Sequence, residues 1–247
     1  SAKEVAAIAY GEEQEEEEDD IIDTDQLENT PISSIDGFEN GGVYTFVTKR
    51  GWMGADKSSN NVISTARTNA DPAAAANNKN FQWLVYQSAR GNYYLYNMGK
   101  KKFMGVQSSN NAEIAFVNGP TSKTLTFKQS SNTDYPIMFS TDNAGVVNHS
   151  NNHGGGLINW TGGWDNLTDE GSNHKVTRVK KLAAADYKEI ADLIEAYDVF
   201  FYVTSEVEGL EETNPNTHYG SVRATSGTST ILTNLKRAAG VAVADYD

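Results

Sequence analysis

The amino-acid sequence predicts a mainly-β chain of three pseudo-repeats followed by a helical segment, and three observations carry that expectation. A hairpin-like stretch, VYTFVTKRGWMGADKSS at residues 43–59, returns at 93 as YYLYNMGKKKFMGVQSS, and a fainter copy begins at 136 as PIMFSTDNAGVVNHSNN. Between residues 32 and 179, short apolar or aromatic runs alternate with clusters of Asn, Ser, Gly and Asp, the texture of many short strands joined by turns. From Ala183 the apolar spacing changes to three and four residues, the helical period.

Taken in order, residues 1–31 open with a helix-compatible piece, Lys3 to Tyr10, and pass into EEQEEEEDDIIDTD. Self-repulsion in such a block is offset by no burial, so the segment is expected to be solvated, partly disordered or frayed. Its carboxylates lack the glycine and alternating ligands of a calcium loop. Residues 32–182 form the expected β domain, with strands at 43–48, 81–87, 93–97, 102–107, 125–129, 137–141 and 175–179. TNADPAAAANN at 68–78 reads as a loop with one helical turn. Residues 183–247 are the helical segment. Tyr187, Ile190, Ile194, Tyr197 and Phe201 share one helix face that runs to about Gly209, and a second helical stretch follows a Pro-, Asn-, Gly- and Ser-rich connection at 230–246. Such helices need a partner surface, either the β domain or a bundle.

Aligning the copies places Tyr44-Thr45-Phe46 over Tyr94-Leu95-Tyr96 and Ile137-Met138-Phe139. Trp52 to Asp56 then falls over Phe103 to Gln107 and over Ala144 to Asn148. Phe46 to Tyr96 is 50 positions and Tyr96 to Phe139 is 43, and each copy runs on into a further strand. Three units of about four strands are too few for most propellers and suit a β-trefoil, in which six strands close a barrel and three hairpins cap one end. A β-sandwich is the alternative.

These residues resemble the ricin-type β-trefoil, in particular the lectin-like modules appended to secreted glycosidases of the Bacteroides group. The resemblance rests on YYLYNMGKKKFMG and on WDNLTDEGSNHKVTRV and covers about residues 36 to 180. It implies a secreted or bacterial cell-surface setting, glycan partners and neighbouring domains outside this chain. The family's Gln-x-Trp signature is altered here: Gln82-Trp83 lacks the spacer, and the other repeats carry Leu125-Thr126-Phe127 and His174-Lys175-Val176.

Composition narrows the partners. A net charge of −13 repels nucleic acid, anionic membranes and sulfated polysaccharides. No apolar run reaches the roughly 18 to 20 residues of a membrane-spanning helix, and no signal-peptide pattern is expected. The chain holds no cysteine, which removes disulfides and thiolate chemistry.

Sugar recognition needs a flat aromatic and neighbouring Asp, Asn or Gln side chains. Repeat one offers Trp52 and Asp56, where the resemblance places a ligand-binding Asp. Repeat three offers Asn148, Trp160, Trp164 and Asp165 in NHSNNHGGGLINWTGGWDN; repeat two has Gln107 in place of Asp. The opposing reading makes the tryptophans barrel caps and Asp56 a turn residue. His149 and His153, four apart, are expected to be solvated loop histidines and not metal ligands, and His174 and His218 stand alone. Asp165, Asp169 and Glu170 sit among turn formers and announce no catalytic cleft. The expected function is therefore a non-catalytic carbohydrate-binding module without cofactor or metal. Rival expectations are a structural spacer or assembly component, and a trefoil protease inhibitor using loops 57–80 and 108–123.

Overall fold

The computed structural model describes residues 27–54, 62–66, 72–106, 109–121, 125–141, 145–162 and 168–206. Asp56, Trp164, Asp165, most of the acidic segment and the second helical stretch lie outside them.

Among the described residues, fourteen strands form the body of the fold. A short strand β1 (Thr30–Ile32) pairs along the last, β14 (Lys175–Lys181). Repeat one contains β2 (Gly42–Thr48), β3 (Gly51–Gly54), β4 (Ser64–Ala66) and β5 (Trp83–Gln87). Repeat two contains β6 (Tyr93–Asn97), β7 (Lys102–Met104), β8 (Ala112–Glu113), β9 (Phe116–Val117) and β10 (Leu125–Gln129). Repeat three contains β11 (Ile137–Thr141), β12 (Val146–His149), β13 (Leu157–Trp160) and β14.

Antiparallel pairing runs β14–β2–β5–β6–β10–β11, and reciprocal backbone hydrogen bonds between Ile137 and His174 bring β11 to the start of β14. That closes a six-stranded barrel. The inner strands of each repeat form the cap, paired as β3–β4, β7–β9 and β12–β13, with β8 of repeat two pairing to β13. At its centre Ile63 N–H donates to Ile114 O at 2.9 Å, Ile114 N–H to Leu157 O at 2.9 Å, and Leu157 N–H to Ile63 O at 2.7 Å. This three-membered ring relates the repeats by pseudo-threefold symmetry, and the fold is a β-trefoil.

Strand register corrects the sequence alignment. Trp52 lies opposite Val47, Phe103 opposite Tyr96 and Val146 opposite Ser140. Phe46, Leu95 and Phe139 are therefore equivalent, and all three are buried in the barrel core. The Tyr-Tyr-Leu-Tyr run was aligned one residue out, because it carries large side chains on both faces and a one-residue slip exchanges the faces. In repeat three the cap alignment was two residues out, so Asn148 matches Gly54 and not Asp56. The expected strand at 81–87 begins at Trp83, since Lys79–Phe81 form a 3-10 turn, and the one at 102–107 ends at Met104. The strands β3, β4, β12 and β13 lie in Gly- and Asn-rich sequence that reads as turn.

The core is aromatic. Phe46, Phe127 and Phe139 pack with centroids 4.9 to 6.5 Å apart, and Phe38 stacks on Phe127 at 4.0 Å. Trp83 is fully buried, stacks on Phe116 at 5.7 Å and donates its indole N–H to Met53 O at 2.9 Å. Each such ring contributes roughly 1.5 to 3 kcal/mol by leaving water. Tyr44 donates to Gly37 O at 3.2 Å, and burial pushes its phenol up to about 12.

Among the described residues, two α-helices lie outside the barrel. Helix α1 (Pro72–Asn77) places Ala75 against Trp52 and Phe81. Helix α2 (Lys188–Glu206) packs on the β domain: Ile190 and Ile194 join Tyr94 and Phe103, and Ile190 with Tyr187 covers Val43, Leu84 and Val179. Asp198 on α2 is buried and accepts from Ser88 Oγ (2.5 Å), Asn92 Nδ2 (2.8 Å) and Tyr94 Oη (3.0 Å). Burial and that carboxylate hold the Tyr94 phenol well above its ordinary value.

Candidate functional site

One polar cleft of about 340 Å³ opens on repeat three, where the tip of repeat one and a turn of repeat two meet it. Its walls come from four short segments, and each is held by a local backbone device.

The first is the two-residue turn Lys49-Arg50 between β2 and β3, where Thr48 Oγ1 accepts from Arg50 N–H at 3.1 Å and Gly51 follows at φ 147°. It aims Arg50 across the molecule. Arg50 Nη1 donates to His149 O at 2.9 Å and to Asn148 Oδ1 at 3.3 Å, and Nη2 meets Asp169 Oδ2 at 3.2 Å. The second is the Ser150–Gly156 loop, where Gly154 and Gly155 take φ of 64° and 89° and Gly155 N–H donates to Ser150 O. The tight loop sets Asn151, Asn152 and His153 along the rim. The third is the turn at Asn111, with φ of 59° and its N–H on Asn159 O at 2.7 Å. Such a φ is tolerated by Asn better than by most residues.

The fourth is the loop before β14. Asp169 Oδ1 accepts from Asn148 Nδ2 at 2.7 Å and from Gly171 N–H at 2.9 Å, and Asn173 Nδ2 donates to Asp169 O at 2.8 Å. Gly171 is needed there, because a Cβ would lie 2.6 Å from both Arg50 Nη1 and His149 O. Asn148 Nδ2 also reaches Ser172 Oγ at 2.8 Å. Asn148, Asp169 and Arg50 thus form a preorganised floor in which the cation and the carboxylate neutralise each other.

Trp160 completes the cleft. It sits at the end of β13 opposite Val146, half-buried, with Gly162 lying against the pyrrole side of its indole. In repeats one and two the matching positions are Ala66 and Val117. Among the described residues, the aromatic platform exists in repeat three alone.

Under the floor lies a polar exception to the apolar core. His174 occupies the position of Trp83 and Leu125, and His149 that of Val106. Both histidines are buried, with Nε2 atoms 3.2 Å apart, and His174 stacks on Phe139 at 4.6 Å. His174 Nδ1 is 3.0 Å from Ser172 O, which can only accept, so the proton of neutral His174 sits on Nδ1 and its Nε2 accepts from His149 Nε2–H. Burial holds His174 down to about 4; burial, then His174, then Arg50 hold His149 well below its ordinary value. The expectation that His149 is a solvated loop residue and His174 solitary is corrected: strand β12 carries His149 inward to His174.

Of the residues singled out in the sequence, Trp160 and Asn148 meet in the cleft, Asn148 buried in its floor and Trp160 on its wall. Trp52 does not join them. It is 8% exposed and packed on Ala75 and Phe81, so it is no open stacking platform. Asp56, Trp164 and Asp165 lie outside the described residues. Arg50 and Asn111 are not among the sequence candidates, His153 is weighed there only as a metal ligand, and Asp169 only as a catalytic carboxylate. Among the described residues no group of three or more His, Cys, Asp or Glu side chains is arranged to hold a metal ion.

No family model matches the sequence. No curated protein matches it. Solved structures do show similarity. A GlcNAcα1-4Gal-releasing endo-β-galactosidase from Clostridium perfringens shares 14% identity over 59% of this chain and 35% of its own, with a TM-score of 0.44. A Polyporus squamosus lectin bound to a sialylated epitope shares 15% over 59% of this chain and 51% of its own, at 0.42. A Macrolepiota procera ricin B-like lectin in complex with lactose shares 13% over 59% of this chain and 99% of its own, at 0.41. The chain therefore spans about a third and about half of the first two proteins. On its own strand pairing and threefold cap, the chain is a β-trefoil.

Proposed function

We propose that this chain is a non-catalytic carbohydrate-binding module whose working site is the repeat-three cleft. The observation that carries the reading is a half-exposed indole, Trp160, beside a preformed floor of Asn148, Asp169 and Arg50. An indole face suits the C–H face of a sugar ring, and amides on the rim suit its hydroxyls. Asn111, Asn151, Asn152 and His153 line the cleft without side-chain hydrogen bonds to other described residues, and so keep donors and acceptors for a ligand. The cleft volume falls in the range of small-molecule sites, about 300 to 1,000 Å³.

Asp169 is the single carboxylate among the lining residues, and Arg50, Asn148 and Gly171 engage both its oxygens. Glycoside hydrolysis ordinarily uses two carboxylates flanking the bond, about 5 to 10 Å apart. A binding role is favoured for that reason. With few fully desolvated contacts, single-site affinity is expected on the order of 0.1 to 1 mM. The sequence resemblance supports placing the module in a secreted or cell-surface bacterial protein beside other domains.

The test is a glycan-array screen of the protein and of Trp160→Ala. Binding by the parent that disappears in the variant, with an unchanged melting temperature, supports the site. Silence of the parent across a broad array overturns the glycan reading and favours a spacer, for which α2, clamped to the barrel by Asp198, is the supporting feature.

A further inference from the structure

The Trp160 cleft does not end at Asp169. A second cavity, of about 180 Å³, uses the other side of Asp169 and is lined further on by Lys49 and Tyr135. Those two residues also line a third, larger hollow of about 760 Å³ that reaches Trp52 and Lys175. The three spaces are neighbours, the first two sharing Asp169 and the last two sharing Lys49 and Tyr135, and in succession they mark a path from the repeat-three cleft to Trp52 in repeat one.

Two local devices hold the residues that these spaces share. The Lys49-Arg50 turn serves two of them, sending Arg50 into the cleft and Lys49 into the next cavity. Tyr135 is positioned by Asn132, whose Oδ1 accepts from Asp134 N–H and Tyr135 N–H, both at 3.1 Å. An Asx turn of that kind fixes the loop, so the half-buried phenol is held over the path. The large hollow differs from the cleft in character. Lys49 and Lys175 are its charged lining residues, and neither forms an ion pair among the described residues.

Resting on the glycan reading above, we propose that the natural ligand is a linear oligosaccharide lying along this path, with one sugar at Trp160 and later sugars passing Tyr135 toward Trp52. A single hexose would fill the cleft and leave the path vacant. A chain places successive rings against Trp160 and Tyr135 and hydroxyls or acidic groups against Lys49 and Lys175.

The test is titration calorimetry with gluco-, manno-, galacto- and N-acetylglucosamine-based series, each from monosaccharide to hexasaccharide. The parent protein is expected to gain about tenfold or more in affinity with length in one series. In Tyr135→Ala, and independently in Lys49→Ala, that gain shrinks at least threefold; in Trp160→Ala affinity falls at every length. Monosaccharide binding with no gain in length, or a gain untouched by both path variants, overturns the path and leaves the Trp160 site standing. No binding to any member overturns the glycan reading together with it.

Discussion

Gly162 shows how finely the Trp160 indole is placed. A Cβ there would stand 3.1 Å from Nε1 and 3.3 Å from Cε2, so Gly162→Ala has to move the ring. We expect this variant to lose about three- to tenfold in glycan affinity, roughly 0.7 to 1.4 kcal/mol, with little change in melting temperature. Calorimetry against the best array hit, with tryptophan fluorescence as a second readout, checks it. Trp160 and Asn148 stand out in the sequence as an aromatic and an amide in a Gly- and Asn-rich stretch, and strands β12 and β13 bring both to one cleft. Arg50 does not stand out, since its partner Asp169 is 119 positions away and nothing local marks a turn arginine as a floor residue. His149 was misread for the opposite reason. Its setting, NHSNNHGGG at 148–156, looks solvated, and only the strand register shows His149 to be the counterpart of Val106.

Helix α2 follows the sequence in place and period: its Ile190, Ile194 and Tyr197, with Tyr187 in the 3-10 turn just before it, face the barrel. What the pattern could not show is the polar clamp beneath it, because Asp198 reads as an ordinary solvent-facing acid. Asp198→Ala leaves three donors, on Ser88, Asn92 and Tyr94, without their acceptor. Buried donors left unpaired cost about 1 to 3 kcal/mol, so the urea midpoint should fall and amides of α2 should exchange faster than those of β10. An unchanged midpoint would mean that the apolar face alone docks the helix. The same helix explains the misaligned tyrosine strand. Tyr94 and Tyr96 are large outward residues because α2 and its approach cover them, while Leu95 points into the barrel.

For the molecule as a whole, the buried His149–His174 pair sets a response to acid. The folded chain keeps His174 neutral down to about pH 4, whereas the unfolded histidine titrates near 6.5. As pH falls from about 6.5 to about 4 the unfolded state binds protons that the folded state refuses. Stability therefore drops by up to about 1.4 kcal/mol per pH unit for each histidine, and above 6.5 the term is flat. His149→Val with His174→Leu, the residues of repeat two, should flatten the slope relative to the parent in urea melts between pH 7 and 4.5. An equal slope in both proteins would show that the pair does not govern it. The histidine pair breaks threefold symmetry under the cleft, yet the ring of Ile63, Ile114 and Leu157 preserves it at the centre of the cap. A ring has no terminal member from which fraying can start, and each repeat completes its neighbour in one rotational sense. The three amides should accordingly vanish from hydrogen-exchange spectra at one common rate, that of global unfolding, while three separate rates would reveal a cap that loosens one repeat at a time.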